Sequence, residues 1–309
     1  MAGQDHPSVA VRALSVLAPA KINLFLHVGE KRDDGYHALE SLVVFAELGD
    51  RMEFAPAAEL TLNVAGPFAQ RLAAEKNNLV LGAARALAAI RPDEPLGAAI
   101  VLEKNLPVAA GLGGGSADAA ASLRGLNGLW HLGLPDADLL EVAARLGSDV
   151  PACLLSRPCW MEGRGERVRP LPAMPRFPVI LVNPGILVPT ARVFADLNAR
   201  TGTGAMQPPT DIRTVWDLVA YLDHAVNDLE APACRLAPMI EDVLAALDHE
   251  PGCVLAQMSG SGATCFGLFE QQEFALGAAR RIAQDHPEWW VRATHIAGPD
   301  IGAPRLQPG

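Results

Sequence analysis

The chain has 309 residues, half of them hydrophobic, and this is enough material for two packed domains or one large one. Its 35 acidic and 25 basic residues give a formal net charge of −10. That charge argues against a general nucleic-acid-binding protein, whose surface would be basic. A phosphorylated small-molecule substrate is still compatible with it, because the local field of a cleft can oppose the net charge.

In the first half of the chain, apolar and β-branched runs alternate with helical patterns. Strands are predicted at residues 22–28, 42–47, 51–54, 60–64 and 98–102, and helices at 78–90, 116–130 and 136–146. Residues 157–178 are rich in proline, glycine and arginine, with two short extended pieces at 159–162 and 167–171. We interpret this segment as the passage between domains at 1–170 and 171–309.

The second half favours a small antiparallel sheet covered by helices, which is an α+β arrangement. Strands are predicted at residues 179–183, 253–258, 264–269 and 290–296, and helices at 190–199, 215–225, 236–249 and 274–285. The loop at 201–209 contains the glycines and prolines of a flexible connection.

A lysine and an asparagine stand close together at the start of the first predicted strand. In an extended segment Lys21 and Asn23 point to one side, and Ile22 and Leu24 to the other. A lysine beside an amide is suited to anionic or hydroxyl groups. The same pattern also fits a half-buried strand whose outer face is simply solvated.

A turn at residues 33–35 is followed directly by an aromatic and an imidazole side chain. Tyr36 offers a ring face for stacking, and His37 can donate or accept a hydrogen bond, so the pair could contact a small molecule. The alternative is an ordinary Asp-Gly turn with an incidental histidine.

The most informative segment is glycine-rich and lies between a predicted strand and an alanine-rich helix. It consists of Pro107, Val108, Ala109, Ala110, Gly111, Leu112, Gly113, Gly114, Gly115, Ser116 and Ala117. Glycine permits close backbone approach, so successive N–H groups can form an anion-binding concavity at the positive end of the helix. The segment lacks the lysine of a Walker A loop and the later acidic residue of a dinucleotide fingerprint. It therefore indicates a phosphate loop of a third kind, or else a plain turn with Ser116 as helix N-cap.

Two further loops carry candidate groups. Asp149 follows a predicted helix, and it could take a proton from a hydroxyl or simply cap the next turn. The small-residue loop at 258–264 lies between two predicted strands and is typical of a hairpin. It would gain a function if it faced the glycine-rich loop.

The five cysteines are scattered and include no Cys-x-x-Cys pair, which argues against a disulfide framework or a zinc site. Reduced thiols of a cytosolic protein are the simplest interpretation. Residues 1–12 contain no apolar signal core, and no apolar run approaches the roughly twenty residues that a membrane span requires. These features predict a cytoplasmic protein.

Taken in order, five segments resemble the GHMP kinase superfamily: 19–24, 34–37, 107–117, 147–151 and 259–263. The glycine-rich loop is typical of the superfamily. Segments 19–24 and 34–37 together are similar to the member that acts on a methylerythritol linked to cytidine diphosphate. The resemblance extends over nearly the whole chain, with one small departure at Ser148, where many members have alanine. It implies a two-domain α+β kinase with its active site in the cleft between the domains.

On the donor side, the resemblance implies ATP and Mg²⁺. It places the ATP phosphates on the glycine-rich loop from Pro107 to Ala117, with Ser116 able to reach the metal ion. Asn78 and Lys104 match positions near the nucleotide base. Phosphoryl transfer depends on alignment and charge stabilisation, so loop N–H groups, helix dipole and Mg²⁺ would together carry much of the catalysis.

On the acceptor side, the resemblance implies phosphorylation of the 2-hydroxyl of this small-molecule substrate, a step toward isoprenoid precursors. Asp149 corresponds to the base that accepts the hydroxyl proton, and Lys21 to its partner. The opposite charge of Lys21 would keep Asp149 ionised and steady the acceptor oxygen. The substrate would be held by Asn23, Tyr36, His37 and Thr190, with the tyrosine stacked on cytosine.

Two alternatives stay open at this point. One is a sister kinase acting on homoserine or mevalonate, and the adjacent Tyr36 and His37 argue against it because those acceptors have no base to stack. The other is a nucleotide-binding protein without catalysis, against which the joint presence of Lys21 and Asp149 argues. No nucleic acid, membrane or obligate protein partner is implied.

Overall fold

The computed structural model describes residues 13–72, 78–198, 200–296, 302–303 and 305–306. The features predicted at residues 1–12 and the end of the helix predicted through residue 199 lie outside these ranges. Within them, no helix has the length and apolarity that a membrane crossing needs.

Strands and helices alternate along the described residues. The strands are β1 (Leu14–Asn23), β2 (His27–Lys31), β3 (His37–Pro56), β4 (Leu60–Ala65), β5 (Ala98–Glu103), β6 (Cys159–Gly163), β7 (Arg167–Pro170), β8 (Phe177–Asn183), β9 (Cys253–Met258), β10 (Cys265–Phe269), β11 (Trp290–Ile296) and β12 (Arg305–Leu306). The helices are α1 (Ala69–Leu72), α2 (Leu79–Ala88), α3 (Gly114–Leu129), α4 (Asp136–Leu146), α5 (Val150–Leu155), α6 (Thr190–Ala195), α7 (Val215–Leu222), α8 (Glu230–Leu236), α9 (Met239–Asp248) and α10 (Gln272–Asp285).

The first half of the molecule is organised around β3, a strand of 20 residues. It pairs antiparallel with β1, β2, β5 and β6 along different stretches of its length. Strand β4 adds in parallel to β5, and β7 adds antiparallel to β6. Helix α3 packs on β1 and β3 and contacts α2 and α5. The helix that begins at the glycine-rich loop is thus the centre of the helical layer.

The second half forms an antiparallel sheet in the order β11-β8-β10-β9, covered by α9 and α10. All seven residues of β8 are buried, as expected for a strand inside a sheet. The two halves of the sheet meet where Ile296 pairs with Ala46, and β12 returns to pair with β1. This architecture confirms the predicted α+β class.

The strand predicted at residues 22–28 is interrupted in the structure. Strand β1 ends at Asn23 and β2 begins at His27, because the second half of the chain takes the backbone bonds of Leu26: its N–H donates to the Val226 carbonyl at 3.1 Å, and its carbonyl accepts from the Asp228 N–H at 2.9 Å. The alternative of a solvated outer face is also wrong, since Lys21 and Asn23 are only 3% and 1% exposed.

Several predicted boundaries differ as well. The strands predicted at 42–47 and 51–54 belong to the single strand β3, in which Gly49 and Asp50 continue the pairing with β1. The helix predicted from residue 236 begins at Met239, and the one predicted from 190 ends at Ala195. Helices α1, α5 and α8 were not predicted, because elements of four to seven residues show too little periodicity.

Candidate active site

A cavity of about 940 Å³ is lined by residues from both halves of the chain. It brings together most of the predicted site residues: Lys21, Asn23, Tyr36, His37, Lys104, Pro107, Val108, Ala109, Ala110, Gly111, Gly113, Gly114, Gly115, Ser116, Asp149 and Thr190. Three predicted residues of the donor side, Asn78, Leu112 and Ala117, do not line it.

The glycine-rich loop leads directly into α3. Gly113 is the N-cap with a φ of 61°, and the helix begins at Gly114, so Ser116 is its third residue. The alternative in which Ser116 caps the helix is therefore wrong. The N–H groups of Gly114, Gly115 and Ser116 have no partner within the helix, while Ala117 donates to the Gly113 carbonyl at 2.8 Å. Together with the helix dipole, they make this end of the cavity favourable for anions.

The small-residue loop at 258–264 faces the glycine-rich loop. Ser259 Oγ donates to the Gly111 carbonyl at 3.0 Å, and the Thr264 N–H donates to the Ala110 carbonyl at 3.1 Å. The approach is so close that a Cβ on Gly111 would lie 2.3 Å from the Ser259 carbonyl oxygen, and the φ of Gly111 is +79°. Only glycine fits at this position.

An ion pair between a lysine and an aspartate lies in the cavity. Lys21 Nζ is 3.1 Å from Asp149 Oδ1 and donates to Asn23 Oδ1 at 2.9 Å. The lysine side chain is 4% exposed and the aspartate side chain 36% exposed. Asp149 occupies the N-cap position of α5, but its side chain makes no capping hydrogen bond. The alternative in which this side chain only caps the turn is therefore wrong.

The orientation of the Asn23 amide is determined by its neighbours. Ser41 Oγ donates to the Phe25 carbonyl at 2.5 Å, and it accepts from Asn23 Nδ2 at 2.8 Å. This leaves Asn23 Oδ1 facing Lys21, where it accepts from the ammonium. Asn23 therefore orients the lysine as well as lining the cavity.

Tyr36 and His37, the pair after the Asp-Gly turn, also line the cavity. Tyr36 is 51% exposed, and the Arg164 guanidinium carbon is 5.3 Å from its ring centroid. His37 Nδ1 is 3.1 Å from the Gly29 carbonyl, which can only accept, so Nδ1 carries the proton, and Nε2 has no hydrogen-bond partner among the residues that the structure describes. The His37 ring is stacked on Phe194 with centroids 5.6 Å apart and an interplanar angle of 18°.

Phe194 and Arg164 also line the cavity, although no sequence pattern indicated them. Phe194 lies in an apolar helix with no chemical pattern of its own. Arg164 stands in the stretch interpreted only as a passage between domains. Thr190 was predicted, and its Oγ1 is 2.8 Å from Ser261 Oγ, which connects α6 to the loop at 258–264.

The side chain of Lys104 takes part in a buried ion triad. Its Nζ donates to Asp50 Oδ2 at 2.5 Å and to Asp118 Oδ2 at 2.6 Å. Asp50 Oδ1 also accepts from the N–H groups of Asn105 and Leu106, just before the glycine-rich loop begins. Asn78 is the N-cap of α2 and accepts from the Val80 N–H at 2.9 Å. Both side chains, predicted to lie near the nucleotide base, are thus engaged within the protein.

Burial sets the protonation of the triad. Burial, with a smaller contribution from the neighbouring Asp50, raises the pKa of Asp118 to about 8 against the opposing effect of Lys104. Burial alone would lower the pKa of Lys104, but Asp118 and Asp50 together raise it. The lysine therefore stays charged at neutral pH, and burial favours the protonated form of Asp118.

Comparison with known proteins agrees with this geometry. The model of the GHMP kinases N terminal domain matches residues 78–157, and that of the GHMP kinases C terminal domain matches residues 218–287. Together they include the glycine-rich loop, Asp149 and the loop at 258–264. The chain belongs to the GHMP kinase family.

Relatives that are about half identical to this chain include several kinases of the same name. A 4-diphosphocytidyl-2-C-methyl-D-erythritol kinase of Parvibaculum lavamentivorans is 50% identical over 285 residues, which cover 91% of this chain and 97% of the relative. A kinase of the same name from Paracoccus denitrificans is 51% identical over 280 residues, covering 91% and 96%. A crystal structure of 4-(cytidine 5'-diphospho)-2C-methyl-D-erythritol kinase superposes with a TM-score of 0.72 at 34% identity, covering 92% of this chain and all of that one.

Proposed function

We propose that this chain transfers the γ-phosphoryl group of ATP to the 2-hydroxyl of 4-diphosphocytidyl-2-C-methyl-D-erythritol, a step of the methylerythritol phosphate route to isoprenoid precursors. The names of its relatives support this substrate. The observation that supports the reaction most directly is the ion pair between Lys21 and Asp149. Lys21 Nζ and Asp149 Oδ1 are 3.1 Å apart, in the cavity that the glycine-rich loop also lines.

The donor phosphates bind at the start of α3. The N–H groups of Gly114, Gly115 and Ser116 have no intrahelical partner there, and these three residues line the cavity. Such donors are already in place before the reaction, so they stabilise the developing charge without reorganisation. The opposing loop at 258–264 holds the concavity in shape through Ser259.

Magnesium fits this site as a partner of the nucleotide. Mg²⁺ is usually held by substrate phosphates, several waters and only one or two protein oxygens. The described residues contain no cluster of three or more candidate ligands, which agrees with that mode. Ser116 in the cavity wall is the residue that would contribute its hydroxyl. When bound, the ion neutralises phosphate charge during transfer.

Asp149 accepts the proton of the attacking hydroxyl. Its Oδ1 is bound by Lys21, and the carboxylate is still partly exposed to the cavity. Lys21 has three N–H donors, of which Asn23 and Asp149 take two. The third has no partner among the described residues and is available to the acceptor oxygen. Removing the proton while the ammonium steadies that oxygen produces the nucleophile in place.

The cytidine end of the substrate binds at the Tyr36 side. Tyr36 is half exposed and lies beneath Arg164, so its ring can hold a planar base. His37 Nε2 is free because Nδ1 is engaged with Gly29, and it can pair with the edge of a base. The cavity also contains Lys31 and Arg164 as cations, which suits a diphosphate on a chain of net negative charge.

The residues of the site come from two proposed domains. We place the boundary near residue 170, between β7 and β8, where the chain passes from the β3-centred sheet to the β8-centred sheet. The acceptor and donor residues listed above then come mostly from the first domain. Thr190, Phe194 and the loop at 258–264 come from the second.

A coupled ADP-release assay tests the proposal. Purified protein with ATP and Mg²⁺ should turn over 4-diphosphocytidyl-2-C-methyl-D-erythritol, and the product should carry its new phosphate on the 2-oxygen by phosphorus NMR. Homoserine and mevalonate serve as matched acceptors without a base. Turnover of either in preference to the cytidyl substrate, or of none of the three, would overturn the assignment.

A further inference from the structure

A partly buried arginine in the middle of α3 connects three elements of the active site without lining the cavity. Arg124 Nη1 donates to the Leu154 carbonyl at 2.8 Å, to the Cys153 carbonyl at 3.0 Å and to Ser156 Oγ at 3.1 Å. Its Nη2 donates to the Leu17 carbonyl at 3.5 Å. These acceptors belong to the end of α5 and to β1.

Each connected element carries one part of the proposed chemistry. Helix α3 begins at the glycine-rich loop, and β1 carries Lys21 four residues after Leu17. Helix α5 has six residues, so its length is about 9 Å. Asp149 is the N-cap of this helix and Ser156 its C-cap. Since so short a helix moves as one piece, holding its last carbonyls also holds Asp149.

The arginine is satisfied by carbonyl and hydroxyl oxygens and not by a carboxylate. Among the described residues it forms no ion pair, and its Nε is buried without a hydrogen-bond partner. Burial lowers the pKa of Arg124 to about 10 from its usual 12.5, so it is still a cation at neutral pH. A cation at a helix C-terminus is stabilised by the helix dipole. Its removal would take away the side-chain donor of the Leu154 carbonyl and leave the Cys153 carbonyl with Ser156 Oγ alone, at 2.6 Å.

The returning C-terminal segment closes this arrangement. A Cβ on Gly302 would lie 2.4 Å from Arg124 Nη2 and 2.7 Å from Ser156 Oγ, so the backbone of Gly302 lies directly against both. A few residues later, β12 pairs with β1 at Leu14 and Ser15. The guanidinium is thereby enclosed by α3, α5, β1 and the C-terminal segment.

We infer that Arg124 is a positioning residue for phosphoryl transfer. It holds Asp149, at the start of α5, in a fixed position relative to Lys21 on β1 and to the glycine-rich loop at the start of α3. This inference rests on the proposed function, because that function supplies the reaction. The contacts of Arg124 do not depend on it. Small displacements between reacting groups reduce turnover strongly without an equal loss of binding. A positioning role therefore predicts that kcat falls while KM changes little.

The test uses two variants and a matched control in the full chain. Arg124→Met keeps the stem and removes every donor, and Arg124→Lys keeps the charge with fewer donors. Asn127→Ala is the control, because Asn127 lies one turn further along α3 and fixes only the turn at Leu134, through bonds of 3.0 Å and 3.1 Å. Steady-state kinetics are combined with amide hydrogen exchange of residues 150–156, which needs no substrate.

For Arg124→Met we expect kcat to fall by about 10- to 100-fold, with KM for both substrates within about threefold of wild type. Exchange at residues 150–156 should be roughly tenfold faster or more. Arg124→Lys should recover part of kcat, and Asn127→Ala should change neither readout. Wild-type kcat or unchanged exchange in a folded Arg124→Met protein overturns the inference. If that variant does not fold, Arg124→Lys decides by the same two readouts. Absence of wild-type turnover would instead refute the proposed function, and the exchange result would still report on α5.

Discussion

The hydroxyl of Ser259 joins Gly111 to Asn23: it donates to the Gly111 carbonyl at 3.0 Å and accepts from the Asn23 N–H at 3.1 Å. One buried side chain thus connects the phosphate loop, the strand that carries Lys21 and the loop at 258–264. The two bonds cross 148 and 236 positions of sequence. The donor and acceptor sides of the cavity are held together at this point.

Replacement of Ser259 should therefore weaken ATP binding. Ser259→Ala leaves the Gly111 carbonyl and the Asn23 N–H without their partner, at a cost of about 1–3 kcal/mol. We expect a higher KM for ATP and a lower midpoint of thermal unfolding. Ser122→Ala is the control, because that buried hydroxyl bonds the Asp118 carbonyl of its own helix at 2.8 Å and the Met52 sulfur at 3.8 Å, and neither partner lines the cavity. An unchanged KM for ATP in Ser259→Ala would contradict the role given to the loop at 258–264.

Removal of the Asp149 charge should abolish turnover while ATP still binds. Asp149→Asn keeps the shape of the side chain but cannot accept the hydroxyl proton, and general base catalysis contributes typically about 10²–10⁴-fold. Calorimetry should show ATP affinity within about threefold of wild type, because the phosphates bind at α3. Asp136→Asn, at the exposed start of α4, should behave as wild type. A rate near the wild-type value would refute the assignment of the base.

Loss of the Tyr36 ring should affect only the cytidyl substrate. Stacking of a base on an aromatic ring contributes about 1–3 kcal/mol, so Tyr36→Leu should raise the KM for that substrate by roughly 5- to 150-fold. The KM for ATP and the unfolding temperature should hardly change, because the side chain is half exposed. Tyr36→Phe keeps the ring and should retain the wild-type KM. Equal effects of Leu and Phe would point to the hydroxyl in place of the ring.

The buried triad predicts a pH dependence of stability. Because the pKa of Asp118 is raised to about 8 in the folded protein, the native state binds a proton more tightly than the unfolded state does. The stabilisation of the folded state by this proton is fully present at pH values below the ordinary carboxyl pKa, and it is lost as the pH rises through about 8. Asp118→Asn resembles the protonated acid and does not titrate. Its stability relative to wild type should increase from pH 5 to pH 8, as measured by urea unfolding. If the stabilities of wild type and Asp118→Asn had the same dependence on pH, the prediction would be contradicted. The control is Asp242→Asn at an exposed position, whose stability should follow that of wild type at every pH.

Elements determined by local signals were predicted well. Helix α4 spans Asp136–Leu146 as expected, because Pro135 precedes it and Gly147 follows it. Strands β9 and β11 also have the predicted bounds, since each combines apolar residues with turn residues at its ends. By contrast, the break after Asn23 depends on backbone bonds from residues 226–228, which no local pattern indicates.

The candidate site shows the same division. The sequence by itself determined which residue types are available for the proposed chemistry: glycines for a phosphate loop, a lysine and an aspartate for a hydroxyl, and a tyrosine for a base. Only the tertiary structure decided that Lys21 and Asp149 lie 3.1 Å apart, that Lys104 is held by Asp50 and Asp118, and that Arg124 reaches the end of α5. The physical reason is that backbone conformation and turn chemistry depend on neighbouring residues, whereas ion pairs and buried hydrogen bonds join positions far apart in the chain, whose contact exists only once the core has packed.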